Sequence, residues 1–256
     1  MHITQAYFSP GGTTRAIVEY FTSQLDEKRP VSLDLLRHKE HTDRRFGPDD
    51  LLVVNMPVFA GRLPLPVPAM LSGFKAQRTP AVALVTYGNR EYEDALLELC
   101  DILSSGGFEV IGAAAFIARH SIFPRVAADR PDDKDKQKIA AFAARCASKL
   151  TATGKSRLLS TRVNGNRPYR DIPPIPFKPN GDDACNDCGL CVELCPVQAI
   201  DPATPHQTDP ERCISCTACV YNCPQHARSF RGPAYERGLA AFLANLSARR
   251  EPEVFG

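Results

Sequence analysis

The chain reads as an α/β protein: a doubly wound, five-stranded parallel sheet followed by a smaller α+β module of different composition. Three observations predict this. Short apolar runs alternate with helical patterns through the first 150 residues, as βαβ units require. Prolines crowd positions 168–179, where neither a helix nor a central strand can continue. Eight of the ten cysteines fall within 39 residues, from Cys185 to Cys223.

His2–Phe8 reads as the first strand, ending at a Ser9-Pro10-Gly11-Gly12 turn. Ala16, Ile17, Tyr20, Phe21 and Leu25 then recur at near-helical spacing. Val31–Leu35 is a short second strand, and Leu51–Asn55 and Ala81–Thr86 are continuous apolar runs suited to buried parallel strands. Arg90–Leu103 is helical with Leu96, Leu97, Leu99, Ile102 and Leu103 toward the core, and Gly106-Gly107 stops it. Phe108–Ile117 is a fifth strand, and Asp132–Leu150 closes the domain as a helix. In such sheets a ligand sits beyond the carboxyl ends of the strands.

Charge divides the chain where the cysteines do. Residues 1–180 carry 25 basic and 19 acidic side chains, residues 181–232 carry 3 and 7, and the tail is balanced. The organisation expected is a domain at 1–152, a basic and proline-rich extended linker at 153–180, a cysteine module at 181–232 and a helical tail at 233–256. The tail helix has no assigned neighbour. The net charge of +2 argues against nucleic-acid binding by bulk charge, and no apolar run is long enough for a membrane span. The N-terminus shows no export signal, so a cytoplasmic setting is expected.

The cysteines form two runs 28 residues apart, Cys185-x-x-Cys188-x-x-Cys191-x-x-x-Cys195-Pro196 and Cys213-x-x-Cys216-x-x-Cys219-x-x-x-Cys223-Pro224. Three closely spaced thiolates reach one cubane while the fourth projects elsewhere. A disulfide framework needs an oxidising compartment, and zinc sites use two C-x-x-C pairs, so two [4Fe–4S] clusters are the reading that fits the spacing. Residues 181–232 resemble bacterial two-cluster ferredoxins. That resemblance implies crossed ligands: Cys185, Cys188, Cys191 and Cys223 on one cluster, with Cys213, Cys216, Cys219 and Cys195 on the other. Ile200 and Phe230 look like apolar cover for them. Cys100 and Cys146, on predicted helices among apolar neighbours, read as ordinary buried thiols.

Ser9-Pro10-Gly11-Gly12-Thr13-Thr14 joins the first strand to the first helix, where a helix N-terminus, glycines and hydroxyls suit a phosphate. A turn that only caps the helix is the alternative. Without a Lys this is not a Walker loop, and without G-x-G-x-x-G it is a poor dinucleotide site. The first domain resembles the flavodoxin family, whose usual loop is [S/T]-x-T-G-x-T. Ser9, Gly12 and Thr14 match it, and Gly11 replaces the usual Thr. The resemblance implies FMN. Pro57-Val58-Phe59-Ala60-Gly61-Arg62 and Tyr87-Gly88-Asn89-Arg90-Glu91-Tyr92 follow the third and fourth strands, where the flavin ring would lie. Phe59, Tyr87 and Tyr92 are candidate ring faces, with Gly61, Gly88 and Asn89 for close backbone approach. Arg62 and Arg90 are candidate cations that would raise the flavin potential. His120, after the fifth strand, is the candidate catalytic proton donor.

The order of the pieces resembles the flavodoxin–ferredoxin fusion proteins of the EFR1 family over residues 1–232. The function implied is electron transfer between two one-electron clusters and an FMN, with a low-potential redox partner protein in an oxygen-poor setting. An enzyme version adds a small substrate at an exposed flavin face. The alternatives are a non-catalytic carrier between partner proteins, or an iron–sulfur module with a vestigial flavin site. Opposite charges on the two domains favour their docking.

Overall fold

A computed structural model describes residues 1–25, 30–38, 43–151 and 162–256. Residues 153–161 of the expected linker, Lys155 and Arg157 among them, lie outside the described residues. The elements of the first domain are β1 (His2–Tyr7), α1 (Thr13–Ser23), β2 (Val31–Asp34), β3 (Arg44–Phe46), β4 (Asp50–Pro57), α2 (Val67–Leu71), β5 (Phe74–Ala76), β6 (Thr79–Tyr87), α3 (Ala95–Ser105), β7 (Phe108–Ile117) and α4 (Asp133–Thr151). The cysteine module contributes β8 (Asn180–Gly181), α5 (Leu190–Leu194), α6 (Ala218–Tyr221) and β9 (Arg228–Ser229). The tail contributes α7 (Pro233–Asn245) and β10 (Glu253–Phe255).

Five parallel strands lie in the order β2-β1-β4-β6-β7. Renumbered as five, this is the 2-1-3-4-5 order of flavodoxin-like sheets. Every residue of β6 is buried, which is why its sequence shows a continuous apolar run rather than alternation. One core face packs Phe21 of α1 against Phe142 of α4 at 5.7 Å. The other packs α3 against β6 and β7 through Leu96, Leu99 and Leu103. Beside the main sheet, β3 and β5 form a two-stranded parallel pair that the sequence did not announce.

The sheet gains a sixth strand from the tail. Glu253–Phe255 pair antiparallel with Ala113–Ala115 of β7. The tail is thus bound to the first domain, and several groups clasp it there. Asn89 Nδ2 donates to the carbonyls of Leu246 and Ala248, each at 2.9 Å, and its Oδ1 accepts from Arg250 N at 3.2 Å. Arg130 donates to the Arg250 carbonyl from both terminal nitrogens at 3.1 Å while forming a bidentate pair with the buried Asp135. Removing one partner of such a pair leaves an uncompensated charge, so Asp135→Asn should lower unfolding stability by about 3 kcal/mol. Chemical denaturation would measure it. Replacing both partners with apolar residues should cost less.

The linker is fastened too. The predicted helix at Arg90 begins instead at Ala95, because 90–94 form a loop whose last carboxylate is engaged. Asp94 accepts the backbone N–H groups of Asn166 at 2.8 Å and Arg170 at 2.7 Å. Farther along, Lys178 Nζ donates to the Cys213 carbonyl at 2.6 Å. Between these anchors the prolines cross the carboxyl ends of the strands.

Candidate functional site: a strand-end cavity beside two cysteine cages

A cavity of about 410 Å³ opens at the carboxyl ends of the parallel strands. Its floor comes from the start of α1 (Thr13, Thr14), from the ends of β4 and β6 with the loops that follow them (Pro57–Ala60; Tyr87, Gly88, Arg90), and from the loop after β7. The linker stretch Pro173–Phe177 and α7, through Gly238 and Phe242, cover it. Ser215, from the cysteine module, completes the wall. Four chain segments meet there through aromatic rings. Phe123 follows β7, Phe177 is in the linker, Phe230 is in the cysteine module, and Tyr235 and Phe242 are on α7.

Several residues expected at a flavin lie elsewhere. Arg62 pairs with Glu98 of α3 at 2.9 Å and sits over the Tyr169 ring, and Gly61 O accepts from Asp94 N at 3.0 Å, so both serve the loop's own structure. Asn89 clasps the tail. Tyr92 packs against Tyr87 and donates to Glu253 of β10 at 2.6 Å. Each of these side chains has a closer partner in a segment distant in sequence. Arg90 does line the cavity, with Glu93 bound at 2.7 Å to offset its charge. Phe230 turns toward Phe177 and Tyr235, away from its expected place as cluster cover, while Ile200 lines a cysteine cage.

At the first loop, Ser9 Oγ accepts from Arg15 N at 2.9 Å, and Gly12 occupies the N-cap of α1 with no side chain to cap it. The α1 N-terminus therefore keeps donors for an anion that approaches from the cavity past Thr13 and Thr14. Gly11 has a specific neighbour. A Cβ there would lie 3.4 Å from the Tyr221 ring of α6, in van der Waals contact with it. Asn222 Nδ2 donates to the Pro10 carbonyl at 3.2 Å, and Tyr221 OH donates to the Ser121 carbonyl at 2.9 Å. The departure at Gly11 is thus where the cysteine module docks on the loop.

His120 lines the cavity between Phe123 and Phe242. Its Nδ1 accepts the backbone N–H groups of Ile122 at 3.2 Å and Phe123 at 3.1 Å, which places the proton of the neutral ring on Nε2. Burial, then the Arg90 charge, pushes its pKa down to about 4. The ring read from the sequence as a candidate proton donor is thus a neutral imidazole near pH 7 that offers one N–H, at Nε2. Because the unfolded ring titrates near 6.5, the folded protein binds fewer protons between about pH 6.5 and 4. Stability held above pH 6.5 is lost as pH falls through that window, by at most about 3 kcal/mol. Denaturation midpoints between pH 7 and 5 should fall more steeply in the native protein than in His120→Gln.

The cysteines converge in two cages. Cys185, Cys188, Cys191 and Cys223 line one small cavity. Cys195, Cys213, Cys216 and Cys219 line the other. The fourth cysteine of each run thus lies with the first three of the other. The cages differ in depth. Cys188 is exposed, whereas Cys195, Cys216 and Cys219 are buried. Cys100 and Cys146 are buried apart from both cages, and burial pushes each thiol up to about 12.

Residues 184–227 match the family described as a 4Fe-4S dicluster domain. Over 68 residues the chain is 35% identical to pyruvate synthase subunit PorD of Methanothermobacter marburgensis, covering 27% of this chain and 76% of that subunit. Over 95 residues it is 30% identical to trichloroethene reductive dehalogenase of Dehalococcoides mccartyi, covering 30% of this chain and 17% of that enzyme, so it spans under a fifth of the dehalogenase's length. A flavodoxin from the domain Archaea aligns with 59% of this chain and 100% of its own, at 17% identity and a TM-score of 0.41. The chain joins an iron–sulfur dicluster domain, an electron-transfer module, to a flavodoxin-like sheet. No helix among the described residues is long and apolar enough to cross a membrane.

Ser215, Tyr221, Arg119 and the linker residues Pro173–Phe177 escaped the sequence reading. Arg119 lies 5.7 Å from the Tyr221 ring centre and lines the cavity. Nothing local marks these residues, because their roles arise from docking between segments.

Proposed function

We propose that this chain moves single electrons between two [4Fe–4S] clusters and an FMN held in the strand-end cavity, and that it is a flavodoxin–ferredoxin fusion of the EFR1 type. The observation that carries the reading is Ser215. It lies between Cys213 and Cys216 in sequence, donates its N–H toward Cys213 Sγ at 3.3 Å, and also forms the cavity wall. This supports the Cys195, Cys213, Cys216 and Cys219 cage as the neighbour of the flavin. The exposed Cys188 makes the other cage the face for a redox partner protein. FMN when bound takes one or two electrons, and each cluster takes one.

The residues fit these groups. Eight cysteines in two fours are the ligand set of two cubanes. Thr13 and Thr14 at a helix N-terminus fit a phosphate, and the apolar wall from Phe59 to Phe177 fits a flat ring. Arg119 brings positive charge to that wall, which favours a reduced, anionic flavin. The neutral His120 Nε2–H supplies one further donor. A volume of about 410 Å³ is near the low end of the range for small-molecule sites, about 300–1,000 Å³. With the linker and α7 over it, the cavity suits a flavin that exchanges electrons through the protein better than one that meets a bulky substrate.

The test is anaerobic purification of the whole chain with iron, sulfide and flavin counted, followed by reduction with a one-electron donor. The reading expects two clusters and one FMN per chain, with flavin reduction through the clusters. A flavin-free protein that does not take up added FMN would leave only an iron–sulfur carrier. Steady turnover of a small oxidant would add an enzymatic activity at the flavin.

A further inference from the structure

Arg228 is buried to 3% exposure, and its Nε has no hydrogen-bond partner, alone in this respect among the buried side-chain nitrogens and oxygens of the described residues. Its remaining nitrogens are held by neutral oxygens. Nη1 donates to the Pro205 carbonyl, and Nη2 donates to the Pro179 carbonyl at 3.0 Å and to Thr208 Oγ1. A buried guanidinium bound only to neutral groups is an unbalanced charge, which is costly unless an anion lies nearby. The nearby groups are the cysteines. Arg228 lines the cage of Cys185, Cys188, Cys191 and Cys223, with Nη1 4.0 Å from Cys191 Sγ.

We propose that Arg228 is a positioning residue for electron transfer. Its Nε–H donates to a sulfur of the cluster in the Cys185–Cys223 cage, and its fixed charge raises that cluster's reduction potential. This rests on the reading that both cages hold clusters. The sign follows from charge: reduction adds an electron to an anionic group, and an adjacent guanidinium favours the more negative state. The orphaned Nε is explained by the same interaction, since thiolate and sulfide sulfurs accept hydrogen bonds. Arg228 would thereby bias electrons toward the outer cage, where a partner exchanges them.

Two measurements on the anaerobic holoprotein test this. In the first, the protein carries arginine labelled with ¹⁵N only at the guanidino nitrogens, and pulsed EPR is recorded after chemical reduction. A ¹⁵N coupling to the reduced cluster is expected, and its absence with both clusters present would overturn the hydrogen bond. In the second, EPR-monitored redox titration compares the native protein with Arg228→Gln and Arg228→Lys. Loss of charge in Arg228→Gln should make the outer cluster about tenfold harder to reduce at equilibrium, a downward shift of about 59 mV for one electron. Arg228→Lys, which keeps the charge, should recover most of that shift. An Arg228→Gln protein with full iron and sulfide and an unmoved potential would reduce Arg228 to a structural clasp. Should Arg228→Gln fail to assemble its clusters, an Arg228→Lys potential as low as one lost charge predicts would overturn the charge effect. A native protein lacking two clusters would instead overturn the reading beneath it.

Discussion

Cys195→Ser should remove the cluster of the second cysteine run while leaving that of its own run intact. Cys195 closes the run that begins at Cys185 but lines the cavity of Cys213, Cys216 and Cys219. Iron and sulfide should fall to about half, as one of two four-iron groups is lost. The surviving signal should be that of the more exposed cage. Because Ser215 links the lost cage to the strand-end cavity, FMN reduction by an external protein donor should collapse as well. Cys188→Ser is the matching control. It should remove the exposed cluster, yet flavin should still be reduced through the inner one by a small mediator that does not need the outer face. Counting iron per chain and following flavin bleaching under anaerobic stopped flow measures both. Equal loss of flavin reduction with the mediator in the two variants would contradict the inner and outer assignment.

Gly88→Ala should reduce FMN affinity by about tenfold or more, with a loss of stability. A Cβ at Gly88 would lie 2.6 Å from His120 Cδ2 and 2.8 Å from both the α- and β-carbons of His120. The α-carbon belongs to the backbone, so no rotamer change relieves the overlap. The loops after β6 and β7 must move apart at the point where both line the cavity. Inserting a methyl into a packed site typically costs about 1–3 kcal/mol, and about 1.4 kcal/mol is tenfold in affinity. Fluorescence titration of flavin-depleted protein with FMN reads the affinity, and denaturation reads the stability. An unchanged dissociation constant would mean the ring does not rest on this pair of loops.

The alternating pattern predicted the five parallel strands because strands buried on both faces must be apolar throughout, and β6 is so along its whole length. The cysteine spacing predicted two four-member sets, since cubane chemistry dictates the spacing within each run. Strand-end loops pointed to the cavity because the topology of a doubly wound sheet leaves a crevice there. Thr13, Thr14, Phe59, Tyr87, Gly88, Arg90 and His120 all line it. The polar and aromatic loop residues were less legible. Asn89, Tyr92 and Arg62 carry groups that suit a flavin edge, but each is claimed by the tail, by β10 or by α3. Side-chain type states what a residue is able to bond. Which partner it receives depends on segments up to about 160 residues away, as with Asn89 and Ala248.

His120 shows the same division at one residue. The imidazole is visible in the sequence, but its charge state depends on two backbone amides donating to Nδ1 and on enclosure by Phe123 and Phe242. Gly11 is the converse case, a visible departure whose neighbour, the Tyr221 ring, emerges only when the dicluster domain is in place.

By itself the sequence determined the local, periodic and spacing-bound properties of this protein: a doubly wound sheet and two cysteine runs with the spacing of iron–sulfur ligands. Tertiary structure alone decided that the tail returns to add a sixth strand, that the proline linker roofs the cavity, and that the inner cage rather than the outer one meets it. The physical reason is one of range. Secondary-structure period and ligand spacing act over a few residues, whereas docking depends on the summed shape and charge of surfaces that exist only once each domain has folded.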